Sequence, residues 1–229
     1  FAAGGSTSIT ARIEDQFGHL VSAAAIGTTF TLTAGAGSLS AANTTAANGV
    51  ATVTLTATVT GIVTVTAAAP GLTTGSVSVT VSRGAPATLT VLDGNNQSGG
   101  AGQTLAKALR VKVGDAYGNS VAGLSVSFAS VAGGGGVNPA TATTDAKGEA
   151  QTTATLGGQL GTQQFSAAAA GLAPATFAAT AGPGPAARLT LSASPTSFTA
   201  GSNTTLTARV EDQFGNLATS ATTSIAFAL

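Results

Sequence analysis

Cysteine, methionine and tryptophan are absent from the 229 residues, and there is one histidine and one tyrosine. Without cysteine there is no disulfide framework, no thiolate metal site and no cysteine nucleophile. Charge is nearly as scarce, at 7% of residues, with eight basic side chains balancing eight acidic ones. That balance leaves no basic face for nucleic acid and no polybasic strip for an anionic membrane. No run approaches the roughly 18 apolar residues of a membrane helix, so this segment is not expected to insert into a bilayer. A basic stretch followed by an apolar core is missing at Phe1, so no signal peptide is visible. The lack of an initiator methionine points to a mature fragment. What fills the chain is alanine and valine interleaved with threonine, giving a mean hydropathy of +0.38. Disorder goes with low hydrophobicity and high net charge, and this composition has neither.

Self-comparison organises the rest. The phrase "EDQFGHL" (Glu14 to Leu20) returns as "EDQFGNL" (Glu211 to Leu217), and "GDAYGNSV" (Gly114 to Val121) is a third version. Asp15 thus recurs as Asp115, 100 residues on, and as Asp212 after 97 more. Gly61 matches Gly161, Gly71 matches Gly171, Gly49 matches Gly148 and Leu89 matches Leu189. Phe1–Leu32 aligns without gaps on Phe198–Leu229, with 16 of 32 positions identical. The phase predicts three copies of a domain-sized repeat: 1–82 without its first strand, a complete copy at 83–182, and the N-terminal half of another at 183–229. The chain then reads as a window onto a longer tandem array.

Within each copy the period is two. "SITARIED" puts Ile9, Ala11 and Ile13 on one face and Thr10, Arg12 and Glu14 on the other, and "GVATVTLTATVT" and "GSVSVTV" alternate likewise. Short strands between turn signals predict an all-β antiparallel sandwich. Helix is confined to short pieces, with "GQTLAKAL" as the candidate. "AANGVA" and "TTDAKGEA" are hairpin signals with Gly49 and Gly148 at positive φ.

The pattern V-x-D-x-[FY]-G-N-x-[VL], an inward Phe, then T-x-x-x-G-x-A is carried by Val113, Asp115, Tyr117, Gly118, Asn119, Val121, Phe128, Thr144, Gly148 and Ala150. It resembles the bacterial group 1 immunoglobulin-like domains, the repeat modules of invasin- and intimin-type adhesins. Ser120 stands where that family often has proline. The resemblance implies tandem immunoglobulin-like antiparallel β-sandwiches used as an extracellular spacer at a bacterial cell surface, and it implies no particular ligand.

The acidic phrase is the one candidate site. Asp15, Asp115 and Asp212 share the inward parity of their strands, and an inward carboxylate is costly unless hydrogen-bonded. Each is expected to cap the following turn, with Gly18, Gly118 and Gly215 supplying positive φ. Asn119 and Asn216 complete the turn, and His19 stands at their position in the first copy. The rival reading is calcium at a junction, held by oxygens of Glu14, Asp15, Asp115, Glu211 and Asp212. Gly114 replaces the glutamate in the middle copy, so that ligand set does not persist, and no metal is expected. Phe30, Phe128 and Phe227 are expected as core anchors, and Phe17, Tyr117 and Phe214 as packing over the end of the sandwich. The run Gly133 to Gly136 lacks the Lys-Ser/Thr sequel of a phosphate loop and reads as a bulged loop.

No nucleophile, base and stabilising donor converge, so no enzyme and no cofactor are expected. The expected function is a structural extracellular repeat protein forming a stalk, fibre or surface filament. Its expected partners are further copies of itself or other cell-surface proteins and glycans, with no nucleic acid. The half-copy at 183–229 offers strand edges for pairing with a neighbouring chain. The alternative is an adhesin binding module that recognises a glycan or receptor through its end loops.

Overall fold

The computed structural model describes residues 1–222 and 224–228, and no helix occurs among them. The chain divides into two compact units, residues 1–87 with 114–121, and residues 88–113 with 122–229.

In the first unit the strands are β1 (Ser6–Arg12), β2 (Gly27–Ala34), β3 (Ser38–Leu39), β4 (Asn43–Thr45), β5 (Val50–Thr56), β6 (Gly61–Ala68) and β7 (Gly75–Val81). They form a three-stranded sheet, β1-β5-β3, and a four-stranded sheet, β4-β2-β6-β7. The alternation read from the sequence is the reason. Along β5, Ala51, Val53 and Leu55 are buried while Thr52 and Thr54 face solvent. β1 and β5 are antiparallel with Ile9 opposite Val53 and Ala11 opposite Ala51. These residues meet Phe30, Val63, Val65 and Val81 of the other sheet in one core. Threonine suits the wet face because its branched Cβ fits the pleat and its hydroxyl stays solvated. Thr10 and Thr52 meet across the strands, Oγ1 to Oγ1 at 3.4 Å.

The second unit continues with β8 (Pro86–Asp93), β9 (Gln97–Gly100), β10 (Leu109–Asp115), β11 (Ser125–Ala132), β12 (Gly136–Asn138), β13 (Thr141–Thr143), β14 (Glu149–Thr155), β15 (Gly161–Ala168), β16 (Ala175–Gly182), β17 (Arg188–Ser194) and β18 (Thr205–Glu211). Its sheets are β12-β14-β10-β8, β13-β11-β15-β16-β9 and the pair β17-β18. Strands β10 to β16 repeat β1 to β7 one for one. Even the register shift recurs, between Leu32 and Ala34 in β2 and between Ser130 and Ala132 in β11. β9 has only the isolated Ala2–Ser82 bridge as its counterpart in the first unit, and β8 has none among the described residues.

Gly49 and Gly148 have φ of +77° and +74°, as the hairpin signals require. Gly133 and Gly134 are also at positive φ. Gly133 lies against the buried Gln163, whose Oε1 accepts from Gly157 N–H at 2.8 Å. The glycine run is therefore a tight corner over a buried amide. The "GQTLAKAL" stretch is not helical: Leu105 N–H donates to Ala154 O at 2.8 Å, tying it to the sandwich instead. Phe30 and Phe128 are core residues, but Phe227 is 58% exposed. Phe30 shares one core with Val53, Leu55, Val63 and Val65, whereas among the described residues no strand follows β18 to meet Phe227.

The acidic turn as candidate functional site

Each acidic phrase folds as the same turn, closed by a bridge between Glu14 and Leu20, Gly114 and Ser120, or Glu211 and Leu217. The strand delivers an aspartate, a glycine at φ of +82° to +90° reverses the chain, and the aspartate gathers the N–H groups that the reversal leaves unpaired. In the second copy Asp115 Oδ1 accepts from Tyr117 N–H and Asn119 N–H, both at 2.9 Å. Its Oδ2 accepts from Asn119 Nδ2 and from the backbone of Gly84, both at 2.8 Å. The third copy matches it: Asp212 Oδ1 accepts from Phe214 and Asn216, and Oδ2 accepts from Asn216 Nδ2 and Gly184 N–H, all at 2.9 Å.

Both carboxylates are buried, which pushes their pKa up. The Asn119 amide and the N–H groups of Gly84, Tyr117 and Asn119 outweigh that and hold Asp115 at about 2. For Asp212 the Asn216 amide and the N–H groups of Gly184, Asn216 and Phe214 do the same, again to about 2.

In the first copy the turn is intact and its surroundings differ. Asp15 Oδ1 accepts from Phe17 N–H and His19 N–H at 2.9 Å. The His19 N–H leads the contacts that lower its pKa. Among the described residues its Oδ2 meets only His19 Nδ1, at 3.2 Å, and the side chain is 41% exposed. The inward parity thus buries Asp115 and Asp212 but not Asp15. The physical reason is that no glycine N–H equivalent to Gly84 or Gly184 approaches Asp15 among the described residues.

The glutamates do not join these turns as ligands. Glu14 pairs with Arg12 at 3.3 Å, and Glu211 is buried beneath Arg188, with Nη2 to Oε2 at 2.9 Å. Among the described residues no group of three or more His, Cys, Asp or Glu is placed to hold a metal. What the turn does is grip backbone N–H groups.

The turn also reaches back to the copy before it, which residue-by-residue reading of the sequence missed. Within the first unit, Asn119 Nδ2 donates to Thr58 O at 2.8 Å and Asn119 Oδ1 accepts from Thr60 N–H at 3.1 Å. Within the second unit, Asn216 Nδ2 donates to Gly158 O at 3.0 Å. Thr58 and Gly158 occupy the same position in their copies, the loop between β5 and β6 or between β14 and β15. The turn's aromatic residue follows the asparagine. Tyr117 lies over Gly4, and Phe214 lies over Gly102 and Gly158, in space that a Cβ on those glycines would need. Phe17 is 74% exposed. End-packing against the preceding copy is thus observed for Tyr117 and Phe214. The signal was present in sequence as the recurrence of Gly4, Gly102 and Gly201 at one position of the repeat.

Residues 2–82 match the sequence model of the bacterial Ig-like domain (group 1). Comparison with curated proteins found no match. Among solved structures, FdeC, described as a broadly conserved Escherichia coli adhesin, is 23% identical with a TM-score of 0.60, covering 94% of this chain and 71% of that one. Yersinia pseudotuberculosis InvD is 21% identical with a TM-score of 0.51, covering 94% and 69%. The D0–D1 domain of intimin is 24% identical over 78% of this chain and 89% of that one, with a TM-score of 0.33. Residues 2–82 belong to the group 1 bacterial immunoglobulin-like domain family, and strands β10 to β16 repeat the strands β1 to β7 of that segment one for one.

Proposed function

We propose that this chain is a structural extracellular repeat protein, a tandem of immunoglobulin-like modules at 1–82, 83–182 and 183–229 that forms part of a stalk, fibre or filament on a bacterial surface. One observation carries the reading. The same turn is used twice as a joint: Asn119 on Thr58 and Asn216 on Gly158 fasten one copy to the loop of the copy before it. A residue that in two successive copies holds the copy before it is what a tandem array needs and what an isolated domain does not. The buried carboxylates serve the same end. Asp115 and Asp212 each take a glycine N–H from the segment that leads into their copy, fixing where that copy starts. Scarce charge and a threonine-covered surface fit side-by-side association of such fibres, and the described adhesin role of FdeC is consistent with a cell-surface location. Its partners on this reading are copies of itself or other surface proteins and glycans, and its role is structural or adhesive rather than catalytic.

Immunogold electron microscopy of native cells, with antibody raised against this chain, tests the proposal. Label along surface stalks or filaments is the expected result. Label confined to the cell interior overturns it.

A further inference from the structure

One ladder in the second unit joins an early strand of the 83–182 copy to its last. β9 lies on β16 at the edge of its sheet, and the two run parallel. Gln97 is opposite Ala179, Ser98 opposite Thr180, Gly99 opposite Ala181 and Gly100 opposite Gly182. β11, β15 and β16 of the same sheet are joined antiparallel. The ladder extends past these four pairs at both ends. Asn96 N–H donates to Ala178 O, and Ala178 N–H donates to the side-chain Oδ1 of Asn95, both at 2.8 Å. At the other end Ala101 N–H donates to Gly182 O at 2.8 Å. The same parallel contact occurs in the first unit, where Ala2 bridges Ser82 and Ala3 N–H donates to Ser82 O at 2.8 Å.

A four-residue edge strand of sequence Gln-Ser-Gly-Gly has little apolar surface to hold it in place. Amide side chains supply the hold. Gln97 Nε2 donates to Gly94 O at 2.8 Å and to Lys107 O at 2.9 Å, and its Oε1 accepts from Lys107 N–H at 2.8 Å. Gln103 Oε1 accepts from Gly100 N–H at 3.0 Å. Gln97 thus makes the pair of bonds to Lys107 that a neighbouring strand would make, and β9 is stitched to Gly94 and Lys107 as well as to β16.

Parallel order decides how this ladder meets tension. The chain enters β9 at Gln97 and leaves β16 at Gly182, which lies beside Gly100 at the opposite end of the ladder. Pulling the flanking chain apart therefore drags β9 and β16 past each other along their length, and all the hydrogen bonds between them stretch together. In an antiparallel pair the two pulled ends would lie side by side, and the bonds would open one after another. We propose that β9 and β16 form a shear clamp that lets the 83–182 copy resist stretching, with Gln97 as the positioning residue that keeps β9 on the ladder under tension. While the clamp holds, the chain between Gln97 and Gly182 is shielded from the pull. The use of such a clamp rests on the stalk reading above, but its mechanics do not, so pulling on purified protein and labelling cells fail independently.

The test stretches the 229-residue protein by its ends in optical tweezers at constant force. The chain between Gln97 and Gly182 should be released in a single step of roughly 29 nm. Ser98→Cys with Thr180→Cys assigns that step, because these exposed register partners are the only cysteines and their oxidation should abolish it. Gln97→Ala should shorten the lifetime before the step about tenfold, since forced unfolding follows the unfolding barrier and bonds of the clamp are lost from it. Thr152→Ala is the control off the ladder. It removes a buried hydrogen bond to Pro139 O at 2.7 Å in β14, so it should lower the urea midpoint and leave that lifetime unchanged. A lifetime that Gln97→Ala leaves unchanged overturns the proposal. So does one that Thr152→Ala shortens equally, because resistance would then follow overall stability. Release of the same length in several smaller steps also overturns it, and that measurement on the unsubstituted protein decides even if a variant does not fold.

Discussion

Asn119 Nδ2 donates to Thr58 O at 2.8 Å while the same amide's Oδ1 accepts from Thr60 N–H at 3.1 Å, so one side chain straddles the loop between β5 and β6. Both loop groups are near solvent, so water replaces part of what is lost on truncation. Asn119→Ala should cost about 1 kcal/mol in denaturant unfolding of the first unit. Asn119→Asp should cost more, although it is nearly isosteric. It removes the donor to Thr58 O and sets a second carboxylate beside Asp115 Oδ2, which now accepts from that amide. An Asp variant as stable as the Ala variant would show that the amide's donor side contributes nothing.

The three aspartates form a graded set. Asp115 is fully buried and holds four N–H groups, three of them backbone, and Asp15 is exposed and holds two backbone N–H groups. Removing a buried acceptor leaves its donors without water or partner, so Asp115→Ala should cost at least about 2 kcal/mol. Asp15→Ala should cost clearly less, because water reaches its turn. Urea midpoints of the two variants check this, and equal losses would contradict the burial difference as the cause.

Stability should fall in acid through the same groups. Asp115 and Asp212 are held at about 2, below the ordinary 3.8 they regain on unfolding. A depressed pKa means that the unfolded chain binds protons first, so the contribution is complete above about pH 5 and is lost as pH falls toward 2. Asp15, Asp93 and Asp145 are shifted in the same direction and add to the slope. Urea titrations should give a flat stability from pH 7 to about pH 5 and a decline below it. Asp115→Asn should flatten that decline. If it leaves the acid limb unchanged, the buried carboxylate is not its source.

Alternation and repeat spacing made the strands legible before any coordinates. Period-two runs marked β1, β5 and β7, and the glycines of "ANGVA" and "AKGEA" marked their hairpins, because strand faces and positive-φ turns are local properties. The Asp-to-Gly turn was legible for the same reason. Its exposure in the first copy was not, because the burial of Asp115 is decided by Gly84, 31 residues away along the chain. Phe227 failed likewise: a phenylalanine at the right distance from the turn becomes core only if the opposing strands are there to meet it. The reach of Asn119 and Asn216 to the preceding copy was hidden by the ordinary role of asparagine in turns, which accounts for the residue without any remote partner.

Phe214 lies over two glycines that should respond differently to substitution. Gly158 has no positive φ, and what a methyl group there meets first is the Phe214 ring, at 2.5 Å. Gly102 has a φ of +76° and would place a Cβ 2.5 Å from the mobile end of Gln213, at Nε2, and 2.8 Å from the same ring. Gly158→Ala should therefore cost about 1–3 kcal/mol through overpacking, and Phe214→Ala should relieve most of that cost in the double variant. Gly102→Ala carries a second penalty of about 1–2 kcal/mol for a left-handed backbone, which removing the ring cannot relieve. A double-mutant cycle at each glycine separates the two causes, because the coupling energy isolates the contact with Phe214. Equal rescue at both positions would mean that backbone strain at Gly102 is absorbed elsewhere. No rescue at Gly158 would mean that the ring does not rest on that glycine in solution.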